Sequence, residues 1–286
     1  MNKKDKVLAC VDHSPHAERV CDYAVWAARK LQAPLEFIHV LDDEHVEPRH
    51  DWSGSIGLGS QEALLEELAT LDAKRNALRM ERGRSLLESA RGRAAGQLNQ
   101  PVSVRFRNGE LAESLLEIED EVRLFVIGKR GEAGSGRPLH IGTNLERMAR
   151  SLHHPILAVP TQFIEPRKVM LAFDGSATTR KGVEMVAASP LFAQIECRVV
   201  MVAPPSPAAQ AQLDWATTTL NAGCVPATGH LVDGEADTVL LGYCASESID
   251  MIIMGAYGHS RIREFLVGST TTSLLRSCAI PVLLLR

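Results

Sequence analysis

Short apolar runs recur along the chain, each too short for a helix and each flanked by polar or glycine-containing segments. VLACVDHS (7–14), LEFIHVLD (35–42), VSVRFRNGE (102–110), RLFVIGKRG (123–131) and HHPILAVP (153–160) occupy the first half. VMLAFDGS (169–176), CRVVMVAP (197–204), PATGHLVDGE (226–235), DMIIMGAYG (250–258) and AIPVLLLR (279–286) follow in the same sequence in the second. Runs of this kind suit strands buried on both faces, and stretches of helical period lie between them. The alternation predicts two tandem α/β domains, each a doubly wound, Rossmann-like five-stranded parallel sheet with helices on both faces.

Spacing between the copies locates their one large difference. Asp12 and Asp174 are 162 residues apart, as are Val40 and Val202, but Gly109 and Gly234 are only 125 apart. The first copy therefore carries 37 extra residues between its second and third strands. They fall near 60–97, where Leu64, Leu65, Leu68, Leu71, Leu78, Leu86 and Leu87 sit among abundant charges at near-helical spacing. One long helix or two successive ones are predicted, either packed on its own domain or left for a partner. The polar, Gly-rich stretch before it reads as a loop. A short polar segment, TQFIEPRK (161–168), separates the closing strand of one copy from the opening strand of the next. The expected domains are 1–162, with the helical insert, and 167–286.

A chain of 286 residues suits two such domains, and hydrophobic residues at 45% support two ordinary cores. The formal charge of −4 argues against a nucleic-acid partner, and no apolar run is long enough to span a bilayer. The start, MNKKDKVLACVD, passes from lysines straight into a strand without the apolar stretch of a secretory leader, so a cytoplasmic location is expected. The six cysteines show no paired spacing and read mostly as small buried hydrophobes. Ten histidines give no metal-ligand spacing, and His39, inside a strand, reads as a core residue. No metal site is expected. Charge is uneven: residues 166–286 hold only 9 Lys+Arg and 10 Asp+Glu, so the second half should bury more of its surface.

The most specific motif is Gly255-Ala-Tyr-Gly258, nine residues, then Gly268-Ser269. Gly255 closes a strand and Gly268-Ser269 opens a helix. Ligands of open parallel sheets bind beyond the carboxyl ends of the strands, where the chain reverses its winding. Glycine there lets a phosphate approach the backbone, and the free N–H groups of the helix start face the anion, with the helix dipole adding ~0.3–1 kcal/mol per charge. The first copy keeps Gly128, Gly131 and Gly142-Thr143, but ten residues separate Gly131 from Gly142. Lys129, Arg130, Arg137, Arg147 and Arg150 make that region favourable for an anion, yet the longer loop suggests a degenerate site. No Gly-x-Ser-x-Gly elbow and no GxxxxGK[ST] loop is present, and nothing marks a base to activate water, so no catalytic residues are assigned.

The stretch IIMGAYGHSRIREFLVGSTTTSLLRSCAIPVLLLR resembles the nucleotide-binding signature of the universal stress protein family, and the Asp ending each first strand and the duplication extend the resemblance over nearly the whole chain. It implies an adenine-nucleotide alpha-hydrolase-like fold and ATP, with or without Mg2+, as ligand. Residue by residue, it implies that Asp174 and Val202 meet the base and that Met254 and Gly255 lie beside ribose and base. Gly258, Gly268, Ser269 and Thr270 would hold the phosphates. Asp12, Val40, Gly128, Gly131, Gly142 and Thr143 are the weaker counterparts in the first copy. Tyr257 stands where the family often has Arg or His. Asp174 reads equally well as a turn or capping acid in Asp-Gly-Ser.

Three functions fit these residues. The first is an ATP-binding stress-response regulator whose partner interaction depends on nucleotide. The second is a nucleotide-independent interaction scaffold. The third is an ATP-using enzyme, ranked last because both first-strand loops lack a Ser-Gly-Gly-x-Asp-Ser sequence; at most slow ATP hydrolysis is expected. The resemblance further implies that the two halves pack face to face as a pseudo-dimer through their last strands, with homodimerisation of the chain left open and the protein partner unknown.

Overall fold

A computed structural model describes residues 6–41, 58–131, 142–256 and 269–286. The first half runs β1 (Lys6–Cys10), α1 (Ala17–Leu31), β2 (Leu35–Leu41), α2 (Leu58–Ala94), β3 (Val102–Asn108), α3 (Leu111–Leu116), β4 (Val122–Gly128), α4 (Thr143–Ser151) and β5 (Ile156–Val159). The second runs β6 (Lys168–Phe173), α5 (Ala177–Ala188), β7 (Glu196–Val202), α6 (Pro207–Ala222), β8 (Ala227–Val232), α7 (Ala236–Ser246), β9 (Met251–Gly255), α8 (Ser269–Ser277) and β10 (Val282–Leu285). All ten predicted strands are present. Each half orders its strands as a parallel doubly wound sheet, and the two join into one sheet, β3-β2-β1-β4-β5-β10-β9-β6-β7-β8.

The join is edge to edge, which corrects the expectation of face-to-face packing. β5 and β10 pair antiparallel, with Leu157 opposite Leu283 and Ile156 opposite Leu284. Each half thus hides the apolar edge that it would otherwise leave open to strand addition. Arg286 adds cross-seam bonds, its guanidinium donating to the carbonyls of Leu152 at 2.6 Å and Arg150 at 3.1 Å. The antiparallel seam also sends the carboxyl ends of β1 and β4 to one edge of the sheet and those of β6 and β9 to the other. The side chains form two cores, one per sheet face, and both extend across the seam. One holds Trp26, Leu157, Phe192 and Leu283, and the other Phe125, Met148, Ile252 and Leu284.

Between the halves, Tyr23 of α1 clamps the connecting segment. Its ring meets Phe163 edge-on at 4.7 Å, its hydroxyl donates to the Gln162 carbonyl, and it accepts from the Ile164 amide.

The insert is one continuous helix, and its two ends have different surroundings. Toward its C-terminus Leu87, Ala90 and Ala94 enter the core, and Arg93 pairs with Asp22 of α1 at 2.7 Å. Earlier along the same helix Leu68, Leu71 and Leu78 remain 48%, 55% and 62% exposed. The insert therefore both packs on its own domain and leaves an apolar stripe in solvent. Removing all of it would strip core side chains, so only the projecting part is dispensable. Leu87→Ala is expected to cost ~2–4 kcal/mol, while Leu71→Ala should stay within ~0.5 kcal/mol of the parent. Urea unfolding of the two variants measures the difference, and equal losses would contradict this division of the helix.

Candidate functional site

In each half the winding reverses between the first strand and the fourth, so β1/β4 and β6/β9 mark the two crevices at opposite edges of the sheet. The sequence-predicted residues that the structure describes assemble at these edges. In the second half Asp174 follows β6, Val202 ends β7, Gly255 ends β9, and Ser269 and Thr270 open α8. Gly258 and Gly268 lie outside the described residues, as do Tyr257, Arg261 and Arg263. The start of α8 is tied to the end of β9 by the Thr271 hydroxyl, which donates to the Gly255 carbonyl at 3.3 Å.

Asp174 behaves as a turn acid. Its Oδ1 accepts from the Ser176 amide at 2.9 Å and from the Thr179 hydroxyl at 2.6 Å, while Ser176 caps α5 by accepting from the Thr179 amide. The carboxylate is nevertheless exposed, so the turn fixes its direction without burying it. The Met254 side chain is 5% exposed and belongs to the core shared by α7 and α8. Only its main chain can border a ligand. Val202 is half-buried at the strand end.

The first copy places the same residue types differently. Asp12 accepts from the Ser14 amide at 3.0 Å, as its counterpart does, but the turn is then followed by His16, which is buried. A Cβ on Gly128 would lie 2.6 Å from the His16 Cβ, so the glycine here admits an imidazole. Gly142 is also buried, its amide donating to the Lys129 carbonyl at 3.0 Å, and a Cβ on it would meet the Gly131 nitrogen at 3.2 Å. The glycines of this copy close on one another and on His16. The matching position in the second copy is Thr178, which is exposed. Val40 is half-buried at the end of its strand and Thr143 is exposed at the start of α4.

The favourable charge expected around the first loop is largely engaged. Lys129 turns across the seam, where its buried ammonium donates to the Cys278 carbonyl at 2.7 Å. Burial lowers its pKa to about 8. Arg147 pairs with Glu110 at 3.0 Å and Arg150 approaches Glu146 at 3.9 Å. His39 is a core histidine as expected, its ring nitrogen 2.8 Å from the Val11 carbonyl. The reading of the cysteines is corrected: Cys10, Cys21 and Cys197 are buried, but Cys224 is exposed and Cys244 and Cys278 are half-buried.

Two groups of the first half give it an acid-sensitive stability. Burial holds the His16 imidazole below the usual histidine pKa, with Arg130 adding to the effect against the Val159 and Pro160 carbonyls and Asp12. Glu119 would be raised by burial, but the His153 ring and the His153 and His154 amides hold it below the usual carboxylate range. In both cases the unfolded chain binds more protons than the folded one below the ordinary pKa, so stability rises with pH in that window. The His16 contribution is complete above 6.5 and is lost as pH falls toward its lowered value; the Glu119 contribution follows below 4.5. Thermal melts between pH ~7.5 and ~5.5 should show a declining Tm that His16→Asn makes flatter. An unchanged slope in that variant would rule out His16 as the source.

Sequence inspection did not mark His16, the seam position of Lys129, or Gln212. The last, on α6, lies against Gly175, and its Oε1 is buried without a partner among the described residues. None is flagged by residue type or spacing.

Comparison with known proteins gives these features a lineage. The universal stress protein family profile matches residues 4–160 and again 165–286. Universal stress protein Slr1230 of Synechocystis sp. is 34% identical over 284 residues, covering 98% of this chain and 99% of that protein. Universal stress protein YxiE of Bacillus subtilis is 29% identical over 157 residues, 54% of this chain and 98% of its own. The crystal structure of a universal stress protein from Archaeoglobus fulgidus shares the fold over 99% of this chain and 97% of that one, with a TM-score of 0.68 at 16% identity. With its profile matched in both halves and a relative of the same length at this identity, the chain belongs to the universal stress protein family.

Proposed function

We propose that this chain is a nucleotide-responsive regulator of the stress response that binds one ATP, in its C-terminal copy. The observation that carries this reading is the contrast at equivalent crevices: His16 is buried against Gly128 in the first copy, and the exposed Thr178 stands in its place in the second. Asp174 and Val202 would meet the adenine, the main chain of Met254 and Gly255 the ribose, and Gly258, Gly268, Ser269 and Thr270 the phosphates. The Gln212 acceptor near Asp174, without a partner among the described residues, suits a donor such as an exocyclic amine. A Mg2+ ion, where present, would be held chiefly by the phosphates themselves.

Nucleotide held between the ends of β6 and β9 would fix the start of α8, and that surface is the one a partner would read. Native mass spectrometry of the chain purified from cells, followed by calorimetric titration with ATP, tests the proposal. One bound adenine nucleotide is expected; two equivalent sites, or no heat and no retained nucleotide, would overturn it. The scaffold reading keeps one observation in its favour, the solvent-exposed leucines of α2. A partner that binds equally with and without ATP, and is lost on replacing Leu68, Leu71 and Leu78 by Lys, would favour that reading.

A further inference from the structure

Cys244, near the end of α7, and Cys278, just past the end of α8, lie at the end of the second half away from its crevice, where Lys129, just after β4, reaches Cys278. The two thiols are neighbours, each acting on the ionisation of the other. The Cys244 sulfur also lies 4.0 Å from the Met170 sulfur, and the buried Lys129 ammonium of the other half sits on the Cys278 carbonyl at 2.7 Å. Both thiols are half-buried, unlike the enclosed Cys10, Cys21 and Cys197. We infer that Cys244 and Cys278 form a peroxide-sensitive thiol pair, in which Cys278 reacts first and Cys244 resolves it to an intramolecular disulfide.

A thiol at a helix C-terminus faces the negative end of the dipole, which disfavours the thiolate. Here the Lys129 ammonium is placed on the carbonyl of that same residue and offsets the effect. The hydrogen bond from Cys244, and then the nearby Lys129, hold the Cys278 thiol below its usual pKa, against the effect of burial. The same contact with Cys278, together with burial, pushes the Cys244 thiol up. The Lys129 ammonium stands on the Cys278 side of the pair, which marks Cys278 as the sensing thiol and leaves Cys244 to resolve it. At Cys197, by contrast, burial raises the thiol to about 12.

The chemistry balances with hydrogen peroxide as the oxidant. The Cys278 thiolate attacks one peroxide oxygen, the O–O bond breaks, and the departing hydroxide takes a proton from solvent to give water and a sulfenic acid. The Cys244 sulfur then attacks the sulfenic sulfur, forming the S–S bond and breaking the S–O bond, and the hydroxide leaves as water with the Cys244 proton. Two thiols lose two electrons in all, and one peroxide becomes two waters. The bond would tie α7 to the end of α8 directly beneath the seam. This inference stands independently of nucleotide binding.

The reduced full-length chain is treated with hydrogen peroxide, quenched by alkylation, and mapped by mass spectrometry without reduction. A Cys244–Cys278 cross-linked peptide is expected, with Cys278 consumed faster than the exposed, solitary Cys224. In Cys244→Ser the reaction should stop at a Cys278 sulfenic acid that dimedone traps. In Cys278→Ser, Cys244 should stay reduced. Lys129→Met should lower the thiolate absorbance of Cys278 at neutral pH and slow its oxidation about tenfold, the effect of a one-unit rise in pKa. Oxidation of Cys278 no faster than Cys224, a disulfide between other cysteines, or an unaltered rate and thiolate absorbance in the folded Lys129→Met chain would overturn the inference.

Discussion

Replacing Leu157 by Asp is expected to unfold both halves of the chain together. Leu157 is fully buried in β5 and lies directly opposite Leu283 of β10, so the carboxylate would enter a core to which both halves contribute. An unpaired charge there has neither water nor a partner, and the cost exceeds ~4 kcal/mol, a large share of the stability of an ordinary domain. Leu157→Met, of similar volume, should cost less than ~1.5 kcal/mol. Calorimetric melting gives the answer: the parent should melt in one transition, and Leu157→Asp should lose it entirely. Two separated transitions in the parent, or an Asp variant in which the second half still melts normally, would mean that the halves are energetically independent. The same coupling predicts that a nick within 161–168 leaves the fragments eluting together without denaturant.

The second large effect concerns the ligand. If the C-terminal copy holds ATP as proposed, Gly268→Val is expected to abolish binding, because a branched side chain at this glycine would obstruct a phosphate approaching the backbone. Gly142→Val should leave ATP binding unchanged, but it will not be silent. A Cβ at Gly142 would lie 3.2 Å from the Gly131 nitrogen and 3.3 Å from the Arg130 Cα, both backbone atoms that cannot rotate away. Overpacking of this kind costs ~1–3 kcal/mol, so this variant should melt at a lower temperature while titrating with ATP like the parent. Undiminished binding in Gly268→Val, or lost binding in a folded Gly142→Val, would move the site to the other copy.

The strands were legible because burial on both faces demands continuous apolar runs, and segments such as VMLAFDGS and DMIIMGAYG can satisfy little else. The helical insert was legible too, from the offset between Gly109 and Gly234, but not its division into a packed end and a projecting one. Leucines at 71 and 87 look alike in sequence; only the position of α2 over β2 and β3 separates them. The two glycine motifs were found by spacing, but the observed contrast between the crevices lies at His16 and Thr178, turn positions that many residues would fill. Lys129 reads as a phosphate-seeking cation until β5 and β10 pair and bring it to a carbonyl 149 positions further along. Local pattern reports what a segment wants to bury, and contacts made across the seam depend on a pairing that no single segment specifies.

The antiparallel union of β5 with β10 also has a consequence for inheritance. Two identical chains meeting through such an edge must accept every substitution twice, once in each partner, so a residue that closes one crevice closes both. With both partners on one chain, a mutation enters once. Selection could then place His16 in one crevice and keep Thr178 in the other, lengthen one crossover into α2, and set a lysine from one side against a cysteine from the other. The joined sheet repeats one strand order in both halves and leaves the side chains at its two ends free to take unlike roles.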